Sequence, residues 1–217
     1  LSIVFNGEIY NFIDLRNQLR SLGHIFRSQS DTEVLLAAYA EWGRDCLKHL
    51  NGMFAFALYD SKLQEIFIAR DRAGEKPLFY YLDNGTLFFA SELKAFMSLP
   101  DHIRPRIDLE MIARMRNDEF VERTLLKDVS NLCGGYCLIL RDRSNCRKWR
   151  WWRTVEHLVE IPANFGEQVE LYRDLFLDAC RIRMRSDVPI GTALSGGLDS
   201  SSTLCAMSEL RKKSQEL

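Results

Sequence analysis

Residues 195–201 read SGGLDSS and lie between an apolar run at residues 188–194 and a stretch of helical character at residues 201–212. A strand, a glycine-rich turn and a helix in this order are typical of an anion site. Glycines let backbone N–H groups approach a phosphate, and the helix N-terminus adds unpaired donors. The serine hydroxyls can donate to phosphate oxygens, and Asp199 can hold a divalent metal on them. The alternative is an ordinary glycine-rich turn, but the whole pattern favours a phosphate loop, one without the lysine of a Walker A motif.

Length and composition are those of an ordinary globular protein. The chain has 217 residues, 47% of them hydrophobic and 27% charged, which suits one large domain, or one domain and part of another. The formal net charge of −1 gives no argument for nucleic acid as a partner. No apolar run is long enough to span a bilayer and no signal-peptide pattern is visible, so we expect a cytoplasmic protein without a membrane partner.

The cysteines and the chain ends carry two further expectations. Cys133, Cys137 and Cys146 are the only local cluster among six cysteines, and their spacing is not that of a zinc site, so we expect reduced thiols. The chain begins with Leu1 and ends in a charged helix without a glycine or proline stop signal. We therefore expect that both ends are cut.

The first two thirds of the chain predict antiparallel sheet with helices, an α+β pattern. Apolar spacing and the capping box SDTE at residues 30–33 predict the first helices, and short aromatic-rich runs predict strands. The predicted helices are at residues 12–22, 32–50, 91–97 and 108–115. The predicted strands are at residues 1–5, 53–59, 65–69, 77–82, 86–90, 136–140 and 147–151, with a polar turn at residues 6–8 and a last hairpin turn at residues 142–145.

The last third of the chain predicts the beginning of a second domain. We place the first domain at residues 1–153 and a linker at residues 154–164. From residue 165 to residue 217, a long helix, the strand at residues 188–194, the phosphate loop and a final helix are the first elements of an α/β domain.

Residues 5–11, FNGEIYN, form a second dense motif directly after the first predicted strand. The amide of Asn6 beside the N–H of Gly7 can form an oxyanion hole for acyl transfer, and the Glu8 carboxylate can hold a substrate ammonium group. The alternative is a turn followed by a helix N-cap at Asn11. The spacing alone favours this alternative, because Asn and Gly are common turn residues.

A series of motifs resembles one family over nearly the whole chain. FNGEIYN, SDTE, LNGMFAFALYD, ARDRAGEKPLFYY and FASELKAF occur in that order. The series resembles the class II glutamine amidotransferase domain. With SGGLDSS, which resembles the pyrophosphate loop of the ATP pyrophosphatases, it resembles the glutamine-hydrolysing asparagine synthetases. The resemblance implies an N-terminal-nucleophile fold, an αββα sandwich, that is incomplete at its N-terminus, followed by the start of an ATP-pyrophosphatase domain.

The resemblance also implies an activity and its ligands. In that family a Cys at the N-terminus of the first domain hydrolyses L-glutamine, and ammonia passes to the second domain. There ATP and Mg²⁺ adenylate aspartate, and ammonia displaces AMP to give asparagine. A homodimer is compatible with the resemblance.

Site residues follow from the matching motifs. Asn6 and Gly7 would form the oxyanion hole and would bind glutamine together with Glu8 and Asp31, with Asp31 on the amino group. Asp31 also suits a helix-capping role, and one carboxylate can do both. Asp199 would hold Mg²⁺. The residues that would line the ATP site are Leu194, Ser195, Gly196, Gly197, Leu198, Asp199 and Ser200.

The chain departs from the family pattern in three respects. The nucleophilic Cys and the glutamine-binding Arg of the family would lie before Leu1. LCGG at residues 132–135 replaces a Pro-Pro-Gly turn, so we expect a looser turn there. The second domain stops one helix after the phosphate loop, without its aspartate site. We therefore expect a fragment that by itself neither hydrolyses glutamine nor makes asparagine.

Two other functions stay open. Relatives that cyclise β-lactams or amidate sugars and peptides share this domain arrangement, and acceptor residues downstream would distinguish them. A chain that truly starts at Leu1 would instead be a non-catalytic remnant that binds a partner, and glutaminase turnover would exclude that function.

The charged residues in the 70–76 segment are interpreted as structural ion pairs, and Glu92 and Lys94 as a solvated helix face.

Overall fold

The computed structural model describes residues 1–114, 122–141, 145–186 and 188–215. Its contacts divide the chain into two compact units, Leu1–His157 and Leu158–Leu217. In the part of the chain that is described, no helix combines the length and the apolar character needed to cross a membrane.

The first unit contains two antiparallel sheets with helices outside them. The larger sheet has the strand order β1-β2-β3-β7-β8 and the smaller has the order β5-β4-β6. The strands are β1 Ser2–Ile9, β2 Gly52–Asp60, β3 Glu65–Arg70, β4 Phe79–Asp83, β5 Thr86–Ala90, β6 Val129–Asn131, β7 Tyr136–Arg141 and β8 Asn145–Arg150. The helices are α1 Phe12–Ser21, α2 Asp31–Trp42, α3 Cys46–His49 and α4 Leu109–Arg114, with 3₁₀ turns at Gly43–Asp45, Leu93–Ser98 and Thr154–His157.

Three apolar clusters hold these layers together. The largest packs α1 and α2 on one face of the larger sheet, and includes Leu19, Leu35, Phe54 and Phe67. A second cluster, which includes Ala57, lies between the two sheets. A third packs the Leu93–Ser98 turn on the smaller sheet. The resulting helix–sheet–sheet–helix order confirms the αββα arrangement expected for this part of the chain.

Three sequence predictions about the elements are wrong in detail. The polar turn predicted at residues 6–8 is part of β1, which pairs with β2 along its whole length, from Ser2 opposite Tyr59 to Ile9 opposite Gly52. The helix predicted at residues 32–50 is interrupted at Gly43, whose φ of 56° ends α2. The segment predicted as a strand at residues 188–194 contains no strand among its described residues.

The helices in the described part of the second unit are α5 Phe165–Arg183 and α6 Leu198–Gln215. The Asn164 side chain accepts from the N–H groups of Gly166 and Glu167 and so caps α5. Arg173 on α5 lies 3.5 Å from Glu209 on α6. A strand needs a neighbouring strand for its backbone hydrogen bonds, and the described residues of this unit supply none. This absence is the physical reason why residues 188–194 are not a strand.

The predicted helix at residues 108–115 and the hairpin turn at residues 142–145 fall partly outside the described residues. The remaining predicted helices and strands of the first unit correspond to observed elements, although residues 93–98 form a 3₁₀ turn instead of an α-helix.

Candidate functional site

The edge of β1 carries residues 5–9 of the FNGEIYN motif in extended conformation, and Tyr10 and Asn11 form the turn that follows. Tyr10 N donates to Asn51 O at 2.8 Å, in the register that continues the β1–β2 pairing one residue beyond the strand. Because hydrogen-bonded pairs alternate along antiparallel strands, the N–H groups of Ile9 and Gly7 point away from β2, towards the open edge of β1. The side chains of Asn6 and Glu8 share one exposed face of the strand.

Asp31 lies at this same edge, although 22 residues separate it from Ile9. Its Oδ2 atom accepts from Ile9 N at 3.0 Å, and its Oδ1 atom lies 3.4 Å from the Thr32 hydroxyl. Two residues of a strand span about 7 Å, so the Ile9 N–H that Asp31 binds lies about that distance along β1 from the outward N–H of Gly7. The structure thus brings Asn6, Gly7, Glu8 and Asp31 together at one place.

The segment before α2 is held by side-chain hydrogen bonds that position Asp31. The guanidinium of Arg16, which is 5% exposed, donates to the Gln29 side chain and to Ser30 O. Ser30 accepts from Thr32 N and caps α2 as the sequence predicts. Glu33 reaches back to the N–H groups of Arg27 and Ser28, instead of to the cap residue itself. Asp31 therefore begins its helix from a preordered loop.

Glycines let β1 and β2 approach each other closely in this region. A Cβ atom on Gly7 would lie 2.2 Å from Met53 O, and one on Gly52 would lie 2.1 Å from Glu8 O. Contacts that short do not occur between real atoms, so any side chain at either position would push the strands apart. The two glycines are required by the backbone of the site.

Asn11 has a different role from the helix cap considered above. It precedes α1 but makes no side-chain cap hydrogen bond. Its amide instead donates to His49 O at 2.9 Å and accepts from Asn51 N at 2.9 Å. The side chain thereby ties the end of β1 to the loop that enters β2.

The 71–76 loop lies at the same end of the sheet and is organised by one buried carboxylate. Asp71 is 1% exposed and accepts from five backbone N–H groups. The donors are Phe54, Ala73, Gly74, Glu75 and Lys76. Phe54 is also the partner of Gly7 across β1 and β2, so the Asp71 loop supports the site through one strand.

Arg70, Asp71 and Arg72, which the sequence suggested as ion-pair residues, bind backbone groups instead. The Arg70 guanidinium donates to the carbonyls of Gly74, Lys76 and Leu132. Arg72 donates to Leu50 O, and its guanidinium lies 4.0 Å from the centre of the Trp152 ring. Glu92 and Lys94 were interpreted from the sequence as a solvated face. Their side chains form an exposed ion pair at 2.6 Å, in agreement with that interpretation.

The LCGG turn is closely packed, in contrast to the looser turn expected. A Cβ atom on Gly134 would lie 2.6 Å from the carbonyl carbon of Ala73 and from Gly74 N. Gly135 N donates to Asp71 O at 2.7 Å, and Gly135 O accepts from Trp151 N at 2.8 Å. The glycines allow this turn to contact the Asp71 loop directly.

The second sheet meets the site through Ser91, which follows β5. Asn6 Nδ2 donates to Ser91 Oγ at 3.0 Å. A cavity of about 120 Å³ lies beside this contact, and its other lining side chains, such as Val4, Ala57 and Phe89, are apolar. The motif FASELKAF contains Ser91, but only the fold brings it to Asn6, 85 residues away.

Five of the six cysteines lack the environment of an activated thiolate. Burial raises the pKa of the Cys46 thiol to about 12 and also raises the pKa of Cys137. Burial likewise raises the pKa of Cys133, Cys146 and Cys180. A nucleophilic Cys needs a lowered pKa, so these five thiols do not suit that role.

The SGGLDSS segment forms an exposed loop at the N-terminus of α6. Gly196 has a φ of 81°, which favours glycine, and a Cβ atom there would meet no atom within 4 Å. Ser195 Oγ lies 3.1 Å from Ser200 Oγ. Asp199 is in the first turn of α6, because this helix begins three residues earlier than predicted. Leu194 and Leu198 are 59% and 82% exposed.

Comparison with known proteins identifies two regions. A family model described as "Glutamine amidotransferase domain" matches residues 1–152, and one described as "Asparagine synthase" matches residues 171–216. Asparagine synthetase [glutamine-hydrolyzing] 3 of Bacillus subtilis is 41% identical over 92% of this chain and 32% of its own length. A putative asparagine synthetase of Methanocaldococcus jannaschii is 36% identical over 95% of this chain and 40% of its own length. The chain spans about a third of the length of these relatives.

A solved structure supports the fold. The glutamine phosphoribosylpyrophosphate amidotransferase of B. subtilis, in complex with ADP and GMP, has a TM-score of 0.50 and 23% identity, and the match covers 69% of this chain and 29% of that one. At that identity the likeness concerns the fold alone. The glutamine amidotransferase family model matches most of the length of this chain, so the chain belongs to the glutamine amidotransferase domain family.

Proposed function

We propose that the chain is the glutaminase part, with the beginning of the synthetase part, of a glutamine-dependent asparagine synthetase. The observation that carries the proposal is the contact of Asp31 with Ile9 N, two residues from Gly7 on the open edge of β1. The matches to asparagine synthetases over both regions support it. On this proposal residues 1–153 are the glutaminase domain, residues 154–164 a linker and residues 165–217 the start of the synthetase domain, and the whole enzyme is a cytoplasmic homodimer.

The geometry of the β1 edge suits L-glutamine lying along the strand. The outward N–H of Gly7 and the second N–H of the Asn6 amide would receive the side-chain carbonyl oxygen and the negative charge that develops on it. The Oδ1 atom of Asp31, which also lies 3.4 Å from the Thr32 hydroxyl, would accept from the α-ammonium group. Glu8, exposed on the Asn6 face, would add negative charge for the same group. The separation of about 7 Å along the strand is comparable with an extended glutamine.

The nucleophile in this proposal is the N-terminal Cys of the family. The pKa values of the buried cysteines are raised, which supports a nucleophile other than those thiols. The residues of this chain would therefore bind glutamine and stabilise the oxyanion, while the thiolate that forms the acyl-enzyme comes from a Cys-initiated segment.

In the second unit, the phosphate loop would bind the phosphates of ATP. A Cβ atom on Gly197 would meet only Ser195 Oγ, at 3.6 Å, so packing within the chain does not require glycine at this position. The hydroxyls of Ser195 and Ser200 and the first turn of α6 offer donors to an anion. Leu194 and Leu198 would flank ATP, and Asp199 would hold Mg²⁺ on the phosphates. ATP would supply the adenylation of the acceptor, aspartate.

A charge-neutral variant tests the glutamine site. Asp31→Asn keeps one oxygen that can accept from Ile9 N but loses the charge that would bind the ammonium group. Because hydrogen bonds to charged groups contribute about 1.5–3 kcal/mol, we expect L-glutamine affinity, measured by NMR titration, to fall about 10- to 100-fold. Asp45→Asn is the matched control, since it removes the charge of an exposed carboxylate that pairs with Lys48. Equal affinity of the Asp31→Asn variant and the parent would contradict the proposed site.

A second variant tests the phosphate loop. Gly197→Val places two methyl groups where phosphate would approach, so ATP affinity measured by calorimetry is expected to fall by more than about tenfold. The unfolding temperature should stay unchanged, because the space around Gly197 is open. Gly191→Val is the matched control, since a Cβ atom there meets no atom within 4 Å. The phosphate-loop assignment fails if both variants bind ATP equally well.

A further inference from the structure

We propose that Ser91 is a positioning residue that orients the Asn6 amide as an oxyanion donor. The inference rests on the proposed glutaminase function and extends it to a residue on the other sheet. It is carried by the hydrogen bond from Asn6 Nδ2 to Ser91 Oγ at 3.0 Å.

The contact joins the two sheets of the first unit at the site. Asn6 lies on β1, at the edge of the larger sheet, and its side chain is on the face that looks towards the smaller sheet. Ser91 directly follows Ala90, the last residue of β5, which pairs with Phe79 of β4. The position of the hydroxyl is therefore set by the smaller sheet, and the two sheets together determine where it meets the amide.

An unheld asparagine amide is a poor oxyanion donor. The terminal torsion of asparagine is broad, and rotation by half a turn exchanges the NH₂ group for the carbonyl oxygen. A carbonyl oxygen turned towards a developing negative charge would repel it. In the observed orientation Ser91 Oγ accepts one N–H of the amide, so the nitrogen lies on this side and the second N–H is left for a ligand.

On the side of the cavity, the side chains near the Asn6 amide offer few hydrogen-bond acceptors besides Ser91. The cavity of about 120 Å³ beside the contact is lined, apart from Asn6 and Ser91, by apolar side chains, including Ala55, Leu78 and Phe89. Those side chains cannot accept a hydrogen bond. Without the Ser91 hydroxyl, the Asn6 amide would bind water instead and could rotate. The two sheets would stay packed through their apolar cluster.

The test compares Ser91→Ala with Ser91→Thr, which keeps a hydroxyl, by NMR of the full chain labelled at asparagine side chains. Asn6→Asp identifies the Asn6 signals. Loss of one hydrogen bond of about 0.5–1.5 kcal/mol is a change of about two- to twelvefold. We expect the side-chain amide of Asn6 to exchange with solvent faster by that factor in Ser91→Ala, and L-glutamine affinity to fall by a similar factor. Ser91→Thr should resemble the parent in both respects, and Ser61→Ala, in an exposed turn, should change neither.

The outcomes separate this inference from the proposed function. If the Asn6 amide exchanges with solvent at the parent rate in Ser91→Ala, the inference is overturned, whatever the affinity for L-glutamine. Faster exchange with unchanged glutamine affinity reduces the bond to a structural contact and also overturns it. A parent chain whose Asn6 signals do not respond to L-glutamine overturns the proposed function, while the exchange rates still report whether Ser91 holds the amide.

Discussion

Replacing Asp71 with alanine is expected to lower the free energy of unfolding of the first unit by about 3–5 kcal/mol, among the largest effects of a single substitution. The carboxylate is 1% exposed and is the common acceptor of five backbone N–H groups between Phe54 and Lys76. Alanine leaves those donors without a partner, and each buried donor that stays unpaired is costly. Urea unfolding followed by tryptophan fluorescence measures the change, since Trp149, Trp151 and Trp152 lie in this unit.

An isosteric variant serves as the internal control for this prediction. Asp71→Asn keeps one oxygen, which can still accept from the Ala73, Gly74 and Glu75 N–H groups, but loses the acceptor of Phe54 and Lys76. The free energy of unfolding of Asp71→Asn should therefore lie between those of the parent and of Asp71→Ala. If Asp71→Ala unfolds at the same urea concentration as the parent, the carboxylate does not organise the 71–76 loop.

Gly7→Ala is the second substitution with a large expected effect. The added Cβ atom would lie 2.2 Å from Met53 O and 2.7 Å from the Cα atom of Phe54, both of which belong to the paired backbone of β2. Overpacking against a backbone that cannot rotate away costs at least about 3 kcal/mol, because β1 and β2 must separate. The same separation displaces the Gly7 N–H, so glutamine binding should be lost in any fraction that still folds.

The measurement for Gly7→Ala is again urea unfolding, together with the glutamine titration. Ser2→Ala, an exposed position on the same strand, should change the free energy of unfolding by no more than about 0.5 kcal/mol. A Gly7→Ala variant as stable as Ser2→Ala would mean that β1 and β2 are not as close at Gly7 as described here.

Local sequence signals predicted the elements that depend on near neighbours. The Ser30 cap of α2, the apolar face of α1 and the strands around residues 53–69 follow from capping chemistry and periodicity. Asn6 and Gly7 were expected in a turn, because both residues favour turns. Pairing with β2 along the whole of β1 outweighs that preference, and this pairing depends on residues almost fifty positions away.

The parts of the candidate site that the sequence did not predict are long-range contacts. Asp71 was expected in an ion pair, because its neighbours are arginines, but the chain turns around its carboxylate and offers backbone donors instead. Ser91 has no local signal at all, since only the meeting of the two sheets brings it to Asn6. In contrast, the SGGLDSS loop is local, and the predicted turn before α6 is observed, although the preceding strand is not.

The most direct test of the central claim is glutamine hydrolysis by the chain when a Cys-initiated N-terminal segment from an asparagine synthetase relative is joined before Leu1. We expect release of glutamate that disappears when the added Cys is replaced by alanine and falls strongly in Asp31→Asn. No hydrolysis above that of the alanine version, in a protein that folds, would contradict the assignment of the β1 edge as a glutaminase site.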